Sequence, residues 1–155
     1  MSALEDLQSA LGHRFRDPAL LALALTHPSV AHEDGGSGQN HNQRLEFLGD
    51  AVIQLAVTSE LYHRFPGMGE GALTQARAQL VNRTSLAAQA LRLALGDHVI
   101  LSRGEESSGG RTRSSTLADA FEAIIGAVYV DAGFETARQT LLGLIQGEGA
   151  EIGRA

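Results

Sequence analysis

Gln43, Glu46 and Asp50 stand at i, i+3 and i+7 in a stretch whose apolar residues recur every three or four positions. At about 100° per residue this spacing puts the three oxygen-bearing side chains on one side of a helix, with Leu45, Leu48, Val52 and Leu55 on another. Glu46 and Asp50 are like charges one turn apart, which costs a helix about 0.2–0.5 kcal/mol unless a cation sits between them. A second pair, Asp119 and Glu122 at i and i+3, lies in an otherwise apolar run from Leu117 to Val130. Nothing in that run neutralises them, and carboxylates among apolar residues must be paired, protonated or bound to metal. Ala118, Ala120, Ala123 and Gly126 leave room for another helix to come close. Carboxylates carried on two such helices suit a hard cation, magnesium with manganese as a substitute, and offer neither the nitrogen nor the sulfur ligands that select zinc. A cation held this way serves phosphodiester hydrolysis by polarising the phosphoryl oxygen, activating water and stabilising the leaving oxygen.

Each acid also has a plainer reading. Glu46 and Asp50 fit a solvated helix face, with Arg44 or Arg64 as a surface partner. Asp119 follows Thr116, Leu117 and Ala118, which read as a helix start, where first-turn acids are favoured. Glu122, in mid-helix among apolar residues, has no such alternative.

The elements that must position these groups are helical. Ser2 caps a first helix that stops at Gly12, and Asp17-Pro18 opens a second, Ala19 to about Thr26, closed by Pro28. Residues 33–41 read as a polar glycine-rich loop, and the long helix runs from about Asn42 to Phe65 before Pro66-Gly67. Helices are predicted from about Glu70 to Leu80 and Thr84 to Leu95, the latter stopped by Gly96. A polar loop, Ser102 to Ser115, carries Arg103, Arg111 and Arg113; loops of this length are usually functional or mobile. The Leu117 to Val130 helix then ends at Asp131-Ala132-Gly133, and an amphipathic helix from Glu135 to about Gln146 closes the fold. The expected class is all-α, since only Val99-Ile100-Leu101 resembles a strand.

With 155 residues, 43% of them hydrophobic, the expectation is one domain. The absence of cysteine excludes disulfides, thiolate metal sites and a thiol nucleophile. The N-terminus has no basic start or apolar signal core, and the longest apolar run is broken by Asp119 and Glu122, so a soluble, cytoplasmic protein without membrane association is expected. A formal net charge of −6 argues against a simple electrostatic nucleic-acid binder. Carboxylates awaiting cations inflate that count, however, and every basic residue is arginine, suited to bidentate phosphate contact. Base composition of the gene accounts for the arginine usage more readily than function does. No glycine-rich loop follows a predicted strand, which disfavours a nucleotide-cofactor module. His27 is assigned to packing and His41 to the start of the long helix.

Asn42 to Val52, reading Asn-Gln-Arg-Leu-Glu-Phe-Leu-Gly-Asp-Ala-Val, closely resembles the signature of the bacterial ribonuclease III family. The likeness extends from Leu25-Thr26-His27 to Leu117-Ala118-Asp119-Ala120-Phe121-Glu122-Ala123-Ile124-Ile125-Gly126-Ala127 and covers roughly residues 4–145 in order. It implies an all-α, homodimeric endonuclease domain over residues 1–155, with the last ~8 residues linker-like. By the same resemblance, Glu46, Asp50, Asp119 and Glu122 bind Mg2+, with Asp50 and Glu122 catalytic; Gln43 and Glu70 form an accessory site. Arg113 and Arg111 are assigned to RNA contact and Phe47 to the dimer interface. The implied activity is metal-dependent cleavage of double-stranded RNA, in RNA processing including ribosomal RNA, leaving 5′-phosphates and two-nucleotide 3′ overhangs. The family reads duplex RNA by A-form shape, 2′-hydroxyls and phosphates.

Three departures qualify the transfer. Glutamate is usual where this chain has Gln43, and tyrosine where it has Val30. Relatives usually carry a double-stranded-RNA-binding domain after the nuclease, whereas Gly147 to Ala155 are all that follow here, so the expectation is either an excised nuclease domain or RNA affinity resting on dimer and metal alone. A non-catalytic RNA-binding scaffold is the alternative within this fold. A helical magnesium pyrophosphohydrolase shares the carboxylate logic without the Asn42 to Val52 signature.

Overall fold

The computed structural model describes residues 2–33 and 40–146. Among these the chain forms α1 (Ala3–Leu11), α2 (Pro18–Ala24), α3 (Ser29–Glu33), α4 (Gln43–Arg64), α5 (Glu70–Leu80), α6 (Arg83–Arg92), α7 (Arg103–Ser107), α8 (Ser114–Ala132) and α9 (Phe134–Gln146). Short 3-10 turns at Leu95–Asp97 and Gly110–Thr112 flank α7. The class is all-α, as the apolar periodicity requires. The glycine-rich loop expected at 33–41 falls mainly, and the linker-like tail wholly, outside the described residues.

Local chemistry sets most boundaries. Ser2 and Glu5 form a reciprocal capping box on α1, and Gly12, at φ 82°, terminates it. Asp17 accepts from the Ala19 N–H ahead of α2, whose first residue is Pro18. Asn82 accepts from the Ser85 N–H at the start of α6. At the end of α8, Gly133, at φ 92°, donates its N–H to Tyr129. There the Asp131 carboxylate, with its side chain 2% exposed, receives the N–H groups of Arg16 and Asp17 at 2.9 and 3.0 Å and pairs with His13 at 2.8 Å. That buried acid joins the end of α8 to the turn between α1 and α2.

Helix α8 is the central post, packed against α4, α6, α9 and α2. Its apolar run is buried on nearly every side: Leu117, Phe121, Ile124, Ile125 and Val128 are all in the core. Side chains of this size each contribute about 1.5–3 kcal/mol when removed from water, so the run is explained by position and needs no membrane. No helix among the described residues is long and apolar enough to cross one.

Several expectations are corrected. Leu55 is 57% exposed and leaves the core face of α4 to Leu45, Val52, Ile53, Ala56, Val57 and Leu61. Helix α8 begins at Ser114, three residues ahead of the predicted start, because Arg113 is extended and its carbonyl accepts from the Leu117 N–H. Helix α6 stops at Arg92, since Ala94 takes a left-handed φ of 55° and turns the fully buried Leu95 into the core. The stretch from Ser102 to Ser115 is a folded platform and not one loop: Ser102 caps α7, and the Arg103 N–H donates at 2.8 Å to Glu33 of α3, a short helix after Pro28 that the sequence did not signal. Residues 99–101 make no strand; Ile100 forms an isolated parallel bridge with Thr26.

Candidate metal centre

The crossing of α4 over α8 is what brings the acids together. Gly49 and Gly126 meet at that crossing: a Cβ on Gly49 would lie 1.7 Å from the Glu122 carbonyl oxygen, and one on Gly126 would lie 2.3 Å from that of Leu45. The backbones are therefore closer than any side chain allows. Glu46 and Asp50 flank Gly49 by three residues and one, and Asp119 and Glu122 reach the same level of α8. Oxygens of Glu46, Asp119 and Glu122 lie within 4.8 Å of one another, and Asp50 joins them in lining a cleft of about 570 Å³.

The electrostatics follow from half-burial of like charges. Burial first, then the charge of Asp119 and a hydrogen bond with it, pushes Glu46 up to about 7. Burial, together with a hydrogen bond to Asp50 and the charges of Asp50, Glu46 and Asp119, pushes Glu122 up to about 8. Asp119 is also raised by burial, although the Glu46 hydrogen bond and the charges of Arg83 and His27 pull against it. Without a cation these carboxyls do not all ionise at neutral pH, and the cluster keeps part of its protons, chiefly at Glu122 and Glu46. An all-oxygen donor set of this charge and spacing fits a hard divalent cation, whose arrival would displace those protons.

The plainer readings of Glu46 and Asp119 lose their support, while Asp50 is exposed on α4 as a solvated helix face would have it. Glu46 faces Asp119 across the cleft and forms no ion pair among the described residues, and Arg64 pairs with Glu60 instead. Asp119 is the sixth residue of α8 and so is not a first-turn acid.

The remaining candidates separate. Gln43 and Phe47 line the same cleft, with Gln43 exposed beside Glu46. Glu70 lines a different cavity of about 390 Å³, with Thr58, Leu61, Tyr62, Leu73, Thr74 and Arg77 between α4 and α5. Arg111 braces the platform: its Nε donates to both Glu106 oxygens at 2.9 and 3.0 Å, and its Nη1 donates to the carbonyls of Gly96 and Val99 at 2.7 and 2.8 Å. Arg113 pairs with Glu105 and donates to the Ser108 carbonyl at 3.1 Å. His27 is partly buried and accepts from the Ser29 N–H, while His41 accepts from the Gln43 N–H at 3.3 Å at the start of α4.

Arg83, Asn82 and Gln54 also line the cleft, and the sequence reading had singled out none of them. Gln54 continues the stripe of α4 one turn past Asp50, a signal the spacing carries, whereas Asn82 and Arg83 have none, because only the packing of α6 on α8 brings the start of α6 to the carboxylates.

Fold and site together define an all-helical domain with a two-helix carboxylate centre. The ribonuclease-III-like family model matches residues 17–147. A protein named ribonuclease 3 from Oleidesulfovibrio alaskensis is 50% identical over 153 residues, covering 97% of this chain and 66% of the relative. Its namesake from Desulforamulus reducens is 52% identical over 136 residues, covering 88% of this chain and 55% of the relative. The chain thus spans between about half and two thirds of these relatives. The nuclease domain of ribonuclease III from Campylobacter jejuni superimposes with a TM-score of 0.87 at 44% identity, covering 97% of this chain and 98% of that one. A second structure of that domain is described for flexibility in a region involved in dimer formation. Dicer from Pichia stipitis aligns at a TM-score of 0.62 and 27% identity, over 86% of this chain and 56% of its own. The chain belongs to the ribonuclease III family.

Proposed function

We propose that the chain is the nuclease domain of a divalent-cation-dependent endoribonuclease that hydrolyses double-stranded RNA, leaving 5′-phosphates and two-nucleotide 3′ overhangs, in RNA processing in the cytoplasm. The observation that carries this reading is the group of four carboxylates held across the Gly49–Gly126 crossing. Glu46, Asp50, Asp119 and Glu122 would hold Mg2+, with Mn2+ as a substitute. When bound, the cation supplies polarisation of a phosphoryl oxygen and a lowered pKa for the attacking water. Glu122, hydrogen-bonded to Asp50, would give up its proton to the arriving cation and act on the reacting oxygens as a carboxylate, with Asp50 orienting it. Gln43 keeps a hydrogen-bonding group at the cleft rim where a charge is usual.

The same reading makes the protein a homodimer. Phe47, Leu55 and Tyr62 are 82%, 57% and 66% exposed and are spaced eight and seven residues apart, which places them along one stripe of α4. The cavity between α4 and α5 lies at the far end of that stripe and would receive Phe47 of a second copy, bringing Glu70 to the shared valley as an accessory acid. Of the two arginines before α8, Arg113 is the better phosphate contact: it is exposed and can exchange Glu105 for RNA, whereas Arg111 is tied to two carbonyls.

Cleavage of a labelled RNA duplex tests the reading. Magnesium-dependent cuts with two-nucleotide 3′ overhangs are expected, with Glu122→Gln slower by at least about a hundredfold and Gln43→Glu at least as active as the parent. Duplex binding without cleavage under any divalent cation would replace the nuclease with the scaffold reading.

A further inference from the structure

Among the described residues, Arg83 is the single cation that lines the carboxylate cleft. Arg77 donates to Thr58, Arg111 and Arg113 hold the α7 platform, and Arg138 pairs with Glu60 and Glu135, while Arg44, exposed on α4, does not line the cleft. Arg83 is exposed at the first position of α6, and among the described residues it forms no hydrogen bond or ion pair. Its charge still reaches Asp119 and helps hold that carboxyl down against burial. The guanidinium therefore stands close enough to act on the acids but beyond the 4 Å that would make it their salt-bridge partner.

This placement answers an electrostatic difficulty. A chain of net charge −6 with four carboxylates in one cleft repels a polyanion, and divalent cations relieve that repulsion only at the floor. A guanidinium at the wall has no carboxylate to satisfy it once those acids are neutralised, and the nearest complementary group becomes a phosphate of the strand crossing the cleft. Arginine offers a planar donor fork for such a contact.

We propose that Arg83 is a phosphate-binding residue of this cleft, contacting an RNA phosphodiester beside the carboxylates and fixing how the strand lies over them. The inference rests on the nuclease reading given above. It adds a contact from α6 to a site otherwise built from α4 and α8.

The test uses the full chain carrying Glu122→Gln, which prevents cleavage, with a labelled RNA duplex and magnesium, across a range of salt. Adding Arg83→Gln is expected to weaken binding about three- to tenfold at low salt and to reduce the slope of log affinity against log salt by about one. Arg83→Lys should keep the slope, because the charge remains. Binding of Mn2+ alone, followed by electron paramagnetic resonance, should be equal or tighter in Arg83→Gln, since a repelling charge has gone. Unchanged duplex affinity and slope in Arg83→Gln would overturn the proposal. So would weaker Mn2+ binding with an unchanged slope, which would make Arg83 a support for the acids alone. A folded parent that binds Mn2+ but no duplex at any salt would remove the nuclease reading, and this proposal with it.

Discussion

Glu46 and Glu122 hold protons far above the ordinary carboxylate range, so cation binding at this site is also proton release. The same shifts set the stability of the cation-free protein. Folded-state values of about 7 and about 8 exceed the ordinary 4.5, so over that interval the folded form keeps protons that the unfolded chain has already lost. The stability these groups contribute is fully present at low pH and is lost as pH rises through the folded values. In chelator, the melting temperature should fall by a few degrees between pH 6.5 and about 8.5, and magnesium should remove most of that fall. The comparison starts at 6.5 because His27, lowered from that value by burial, changes stability in the opposite sense just below it. A melting temperature that is flat or rising over the range in chelator would show that the acids ionise freely. At this scale the sequence was informative: Glu122, a charge in an apolar run, could be singled out by composition alone. Arg83 could not, because an arginine after a helix-capping asparagine looks like any solvated surface charge.

Two helices carry the site, and their separation is set by two hydrogen atoms. Gly49 and Gly126 let the backbones of α4 and α8 touch, so a methyl group at either must move a helix. Gly49→Ala, 1.7 Å from a carbonyl oxygen, should destabilise the fold by about 3 kcal/mol, the upper end for overpacking. Chemical denaturation measures this, and Mn2+ affinity should fall in parallel because Glu46 moves away from Asp119. A fully stable Gly49→Ala protein with intact Mn2+ binding would mean that the crossing is looser than it stands here. The periodicity and small residues of α8 announced a close neighbour. Gly49 as the point of contact, and its register against Glu122, came only with packing.

For the molecule as a whole, Phe47, Leu55 and Tyr62 are the large apolar residues of α4 that stay exposed among the described residues. Removing the 82%-exposed ring in Phe47→Ala should weaken self-association by at least about tenfold, or about 1.4 kcal/mol. Sedimentation velocity over a concentration series reads this directly. Identical association of parent and variant would remove Phe47 from the interface. The spacing of Leu55 suits the core as well as the exposed stripe, and sequence cannot tell an apolar residue facing its own core from one facing a second copy.

By itself the sequence determined the helical class and the caps of α1 and α2, and it marked four carboxylates whose donor atoms suit a hard cation. Those properties are local: they depend on spacing along one helix or on the donor atoms a side chain carries. Tertiary structure decided which acids share a cleft, that Glu70 lies in another cavity of the same chain, that Arg111 is a brace, and that Arg83 overlooks the site. Those depend on how α4, α6 and α8 cross, and contacts between residues some forty to eighty positions apart are selected by close packing of surfaces, which no local pattern encodes.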